Sequence, residues 1–268
     1  MDSKEFRNII YAYYEEEGRV FPWRETITPW GVMVSEFMLQ QTQTYRVIPF
    51  WNRCMELWPN PSEMNAASMG MVLQVWNGLG YNRRARYLKD CARLIVKNHK
   101  GEVPEALDIL QSLPGIGKYT AGAIACFAFN YPAIFIETNI RSVIIHFFFQ
   151  EQESVLDKDI FPILKDVLDR DNPRKWYWAL MDYGSALKAT TQNPNRKSAH
   201  YAKQSQFEGS FRQNRGKVIK SLAFEGSISL RELSNRTGIV EQELYLVLKA
   251  LEKDLLVLET MGKYSISE

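Results

Sequence analysis

Apolar positions recur at a helical period along most of the chain. Residues 4–17 put Phe6, Ile9, Ile10 and Tyr13 on one face and stop at Gly18. The pattern resumes over 30–43, where Glu36 stands among Val32, Met33, Phe37 and Leu39. It predicts further helices over 45–57 and 62–76, with Ser62 as N-cap of the second. A basic helix follows Gly78-Leu79-Gly80-Tyr81 and carries Arg83, Arg84, Arg86, Lys89 and Arg93. Later helices are predicted over 105–111, 140–149, 158–168 and 174–187, and nothing in the region of the last three suggests strands. The polar, Pro-broken stretch 188–206 reads as a loop or linker.

From Phe211 the pattern changes. Helices are predicted over 216–224, 229–236 and 240–253, and 255–267 alternates like a hairpin around Gly262. That order is a winged helix-turn-helix. The helix that would read bases carries Glu241, Glu243 and Glu252, which argues against sequence reading by this domain. Arg212, Arg215, Lys217 and Lys220 ahead of it are the better phosphate candidates, and a packing or protein-contact role stays equally open.

Residues 113–129 join a short helix to an apolar one through Leu113-Pro114-Gly115-Ile116-Gly117, a helix-hairpin-helix. Gly115 and Gly117 permit positive φ, and the amides of Lys118, Tyr119 and Thr120 open a helix with unpaired N–H groups. Such a terminus attracts an anion, a nucleic-acid phosphate above all. An ordinary helical turn is the alternative. Glu36 reads either as a solvated edge or as a functional acid, and Glu137 either as a partner of the following helix dipole or as a working carboxylate. Gln40, Gln41, Thr42 and Gln43 offer uncharged groups suited to base edges, or simply end a helix. The basic helix after Tyr81 is a solvated face or a phosphate contact.

Composition narrows this picture. The 268 residues are 46% hydrophobic, enough for two or three domains, and a net charge of +2 means that any basic surface is local. Cys54, Cys91 and Cys126 are widely spaced in apolar helical patterns, as buried thiols in a reducing compartment would be. No apolar run reaches membrane-spanning length and no signal-peptide core is seen, so a cytosolic protein without membrane attachment is expected, nucleoid-associated in a prokaryote.

Phe21-Pro22-Trp23-Arg24, Ser35-Glu36-Phe37-Met38-Leu39-Gln40-Gln41-Thr42-Gln43, Gly78-Leu79-Gly80-Tyr81, Leu113-Pro114-Gly115-Ile116-Gly117 and Ala179-Leu180-Met181-Asp182-Tyr183-Gly184 occur in order over residues 3–187. Together they resemble the helix-hairpin-helix DNA glycosylases, and within them the adenine DNA glycosylases of the MutY type. The resemblance implies an all-α fold of two helical lobes, 1–27 with 134–204 and 28–133, followed by the winged helix at 205–268. It implies a monomer acting on a base flipped out of double-stranded DNA.

By that resemblance Glu36 protonates the departing base, its apolar neighbourhood raising its pKa, and the carboxylate at 137 stabilises positive charge on the sugar. Asn139 orients the sugar-facing group. Gln41 wedges into the stack beside Gln40. Trp23, Arg24 and Asp182 line the base pocket, and Tyr81, Asn82, Leu113, Gly115, Gly117, Lys118 and Tyr119 face DNA. Tyr119 stands where bifunctional members carry a catalytic lysine, so no Schiff base forms by that route and a monofunctional enzyme is expected. Lys118 lies about 100° around the helix and does not substitute.

The chain departs from the family in four places. Position 137 is Glu where Asp is usual, a displacement that can cost on the order of 10²-fold in rate, so either the site has adjusted or the substrate differs. No cysteines follow Gly184, so no iron–sulfur cluster is expected; a monovalent cation at the hairpin carbonyls around Leu113 is the one ion considered. Asn82 replaces a tyrosine usual in adenine-specific members, and a winged helix replaces the usual C-terminal domain. The expectation is release of adenine opposite 8-oxoguanine or guanine. The alternatives are thymine or uracil opposite guanine, hypoxanthine, or a DNA-binding protein without catalysis.

Overall fold

In the computed structural model, residues 1–201 and 206–268 are described. The first helices are α1 (Ser3–Glu17), the short α2 (Pro22–Glu25) and α3 (Pro29–Leu39). Helix α1 starts where the Asp2 side chain accepts the Glu5 N–H. Helix α3 stops four residues short of the expected 43, because Gln41 takes a left-handed conformation with φ 56°. Helices α4 (Thr44–Leu57), α5 (Pro61–Ala66) and α6 (Met69–Trp76) follow. The single helix expected over 62–76 is therefore two. Asn60, not Ser62, caps the first through the Glu63 amide, and Ser68 caps the second through the Met71 amide.

Next come α7 (Arg83–His99), α8 (Leu107–Ser112), α9 (Lys118–Phe129), α10 (Thr138–Phe148), α11 (Asp157–Val167) and α12 (Pro173–Thr190). Helix α12 runs three residues beyond its expected end at 187. The expected linker at 188–206 is partly built structure. A 3-10 turn at Pro194–Lys197 is followed by Ser198, which bridges to Val155, with the Val155 amide donating to the Lys197 carbonyl at 2.8 Å. Residues 202–205 of that stretch lie outside the described residues.

The C-terminal part comprises α13 (Phe211–Glu225), β1 (Ile228–Ser229), α14 (Leu230–Thr237), α15 (Glu241–Lys253), β2 (Val257–Thr260) and β3 (Lys263–Ile266). The strands pair antiparallel in the order β1-β3-β2, with Glu259 opposite Tyr264. Three helices with this small sheet are compatible with the winged helix-turn-helix pattern.

Compactness divides the chain in two. One unit holds Met1–Val32, Glu105–Ser112 and the described part of Ile116–Lys203; the other holds Met33–Pro104, Leu113–Gly115 and the described part of Gln204–Glu268. Against the expected division at 28, 134 and 205, α9 goes with the first unit. Eight of its twelve residues are buried, and Ala123, Cys126 and Phe127 join the core of that unit. The same core contains Phe6 and Ile10 of α1, Val143 and Ile144 of α10, and Trp176, Tyr177 and Leu180 of α12. Phe135 stacks on Tyr177 at 4.1 Å between ring centroids, and the Tyr177 hydroxyl donates to the Ala133 carbonyl.

The C-terminal segment shares the second unit with 33–104 because α13 packs on α6. Arg86 of α7 donates to the carbonyls of Leu255, Ser267 and Glu268. Part of the basic face of α7 is thus committed to contacts within the unit, while the Arg83 and Arg93 side chains stay largely exposed. Arg86 holds the last strands, Lys89 donates to the carbonyls of Asn65 and Ala67, and Arg83 pairs with Asp254.

Candidate active site and nucleic-acid interface

The second unit contains Glu36, near the C-terminal end of α3 and 5% exposed. Helix α3 buries residues on every face, so a carboxylate in its last turns is buried by its position alone. Two turns follow from this helix and from α6, and both carry non-glycine residues in the left-handed region: Gln41 at φ 56° and Tyr81 at φ 50°. Such conformations are uncommon away from glycine and persist when their surroundings over-determine them. Arg84 supplies the determination. Only 6% exposed, it donates to the carbonyls of Phe37, Met38, Gln40, Leu79 and Gly80 and to the Thr42 hydroxyl, tying both turns to the start of α7. Burial lowers its pKa to about 10, so the guanidinium remains charged near neutrality. Gln40, Gln41, Tyr81 and Asn82 are thereby brought to one groove of this unit, which Gly115 also lines.

The hairpin turn differs in detail from its expected chemistry. Gly115 does adopt positive φ, 74°, and a Cβ there would fall 2.5 Å from the Tyr87 ring. Gly117 does not: it caps α9 in extended backbone, φ −90°, with open space where a Cβ would stand. Leu113 is buried, and the neighbouring Pro114 carbonyl accepts from the Cys91 thiol. Lys118 is exposed and Tyr119 half-buried at the start of α9, the Tyr119 ring edge-on to Phe135 at 5.9 Å.

In the first unit Glu137 is the N-cap of α10. One carboxylate oxygen accepts the Asn139 N–H at 2.6 Å and the other accepts from the Asn139 side-chain amide at 3.1 Å. The helix-partner reading of Glu137 is therefore realised in the geometry, and Asn139 grips the same carboxylate that the resemblance assigns to the sugar. Lys188 donates to the Asn139 side-chain oxygen at 2.9 Å, which fixes the amide's orientation. Burial lowers the Lys188 pKa while nearby Glu137 opposes that shift. Gly184 lets α12 pass: a Cβ there would lie 2.4 Å from the Asn139 carbonyl oxygen.

Asp182, 1% exposed, receives Arg24 through both guanidinium nitrogens, at 2.8 and 3.0 Å, and Arg19 through its backbone N–H and its guanidinium. Arg24 also lies over the rings of Phe21, at 4.9 Å, and Trp178, while Phe21 stacks on Trp23. Three site residues escaped the sequence reading. Arg19 carries no local signal, and Arg84 stands in a basic helix whose sequence offers solvent or phosphate as partners, not backbone carbonyls. Lys188 did carry one, since it lies four positions after Gly184 and so on the same face of α12, but only if the helix continues past 187.

Cys54, Cys91 and Cys126 are buried on three separate helices, and burial pushes the Cys54 thiol up to about 12. No helix among the described residues is long and apolar enough to cross a membrane.

Helical motifs, the glycine turn and the buried acid point to a class: residues 34–165 match the family described as HhH-GPD superfamily base excision DNA repair protein. Among named proteins the chain is similar to adenine DNA glycosylases. It is 38% identical over 189 residues to the one from Mycobacterium tuberculosis (strain H37Rv), covering 69% of this chain and 62% of that protein. It is 34% identical over 205 residues to the one from Rattus norvegicus, covering 72% and 40%. The chain thus spans less than two thirds of the length of these relatives. The fold is shared with a thermostable thymine-DNA glycosylase (TM-score 0.64, 23% identity, 72% of this chain and 90% of that one) and with an endonuclease III in a DNA complex (TM-score 0.59, 19% identity, 71% and 90%).

Proposed function

We propose that the chain is a monofunctional DNA glycosylase that removes adenine mispaired with 8-oxoguanine or guanine. The observation that carries the reading is Glu36, a carboxylate held inside an apolar helix immediately before the Gln40–Gln43 turn, in a chain 38% identical to an adenine DNA glycosylase. Acidic side chains are rarely buried without a partner, and a buried one beside a groove is a candidate for function. The proposed chemistry breaks the bond between the base nitrogen and the sugar C1′. The electron pair leaves with the base, Glu36 delivers a proton to the base, and water adds to C1′ as its surplus proton returns to the Glu36 carboxylate. Glu137, oriented by Asn139, offsets the charge that develops on the sugar. Tyr119 provides no amine, so the abasic strand is left intact. No cluster or other cofactor takes part.

A second substrate reading, thymine or uracil opposite guanine, is favoured by Asn82, which lines the groove where adenine-specific members usually carry a tyrosine. The test is a panel of duplexes with single mispairs and lesions, incubated with the protein and then cleaved with alkali at abasic sites. Adenine release opposite 8-oxoguanine or guanine is expected. Release of another base moves the assignment to that base, absence of release on every duplex contradicts the glycosylase reading, and strand breaks without alkali contradict the role given to Tyr119.

A further inference from the structure

The turns at 40–43 and 78–82 form only one side of their groove. The other side is α13 of the C-terminal domain, and together they enclose a cavity of about 970 Å³. The domain is fastened there by side chains of both parts. Gln74 of α6 donates to the Ala223 carbonyl, Glu268 accepts the Met69 amide, and Arg215 pairs with Asp254 beside Arg83. Arg212 reaches across the groove to the Tyr81 hydroxyl, its guanidinium 5.0 Å from the Tyr81 ring and 5.3 Å from that of Phe207. A turn already held in a left-handed conformation by Arg84 is thus clasped a second time, from the appended domain.

The charge on this wall is one-sided. Arg212, Arg215, Lys217 and Lys220 all line the groove from α13, Lys217 and Lys220 with exposed side chains, while Asp254 is the one acidic residue in the lining among the described residues. Helix α15, which would read bases in an ordinary winged helix, opens with exposed Glu241 and Glu243. A net charge of +2 over 268 residues makes such a concentration informative.

We infer that α13 is a phosphate-binding wall, and that the C-terminal domain grips a strand of duplex DNA through this first helix, against the Gln40–Gln43 and Gly78–Asn82 turns, and not through α15. This rests on the glycosylase reading for its choice of duplex DNA. Lysines on phosphates release counterions, so the affinity they confer falls steeply with salt. Arg212 belongs to the same wall as a positioning residue for Tyr81.

The experiment measures fluorescence anisotropy of the full chain with a labelled duplex that holds an abasic-site analogue opposite 8-oxoguanine, over a range of salt. Two double variants reverse the same number of charges at exposed positions: Lys217→Glu with Lys220→Glu on α13, and Lys249→Glu with Lys253→Glu on α15. The α13 variant is expected to lose about ten-fold or more in affinity and to lower the magnitude of the salt slope by about two, one per lysine. The α15 variant should stay close to the parent in both. Equal losses in the two variants, or a larger loss from α15, overturn the inference. The readout needs no catalysis: α13-dependent binding without base release from any duplex would refute only the glycosylase reading, and base release with equal binding losses only this one.

Discussion

At position 137, where the resemblance implies Asp, the Glu137 side chain folds back onto the first turn of α10. Both carboxylate oxygens are engaged by Asn139, whose amide is in turn set by Lys188. On the proposed function, this is a site rebuilt around the longer side chain. Glu137→Asp should therefore lower the single-turnover rate of base release, on the order of 10²-fold, by misplacing the carboxylate. A rate equal to or above the parent's would show that the native glutamate is the compromised residue. Glu36, Gly115 and Glu137 were legible in the sequence because each sits inside a short motif with its own local chemistry. Arg84 was not. Its ligands are mostly backbone carbonyls, three of them more than forty positions away, and backbone carbonyls leave no mark in a sequence.

Elements were read well where apolar periodicity was strong and less well where backbone conformation decided. The amides at 40–43 do not oppose a helix, so nothing local announced that α3 ends at Leu39. The end is imposed by Arg84 binding the carbonyls of Phe37 and Met38, which α3 would otherwise leave unpaired. Helix α10 is tied to the start of α11 by Arg141, whose guanidinium holds the Asp157 carboxylate at 2.8 and 2.9 Å. That hydrogen bond lowers the Asp157 pKa below its ordinary 3.8. A depressed acid contributes stability that is fully present above the unfolded value and is lost as pH falls through the lower folded value. Urea unfolding at about pH 6 and about pH 3 should therefore show a larger drop in midpoint for the parent than for Asp157→Asn. Equal drops would deny the ion pair a role in joining the two helices.

Across the whole molecule, the sequence pattern located the C-terminal helices and hairpin but not their attachment. A basic helix read in isolation offers solvent or DNA as partners, whereas Arg86 and Arg83 of α7 are committed to the C-terminal segment. Such commitments depend on residues some 170 positions further along the chain. The account as a whole requires that one buried carboxyl separate chemistry from binding, because Glu36 donates a proton and is not needed to hold the duplex. The direct measurement is single-turnover base release and duplex affinity, made side by side on Glu36→Gln. The account predicts that base release is abolished while affinity for the mispaired duplex is retained. Release at the parent's rate would contradict it.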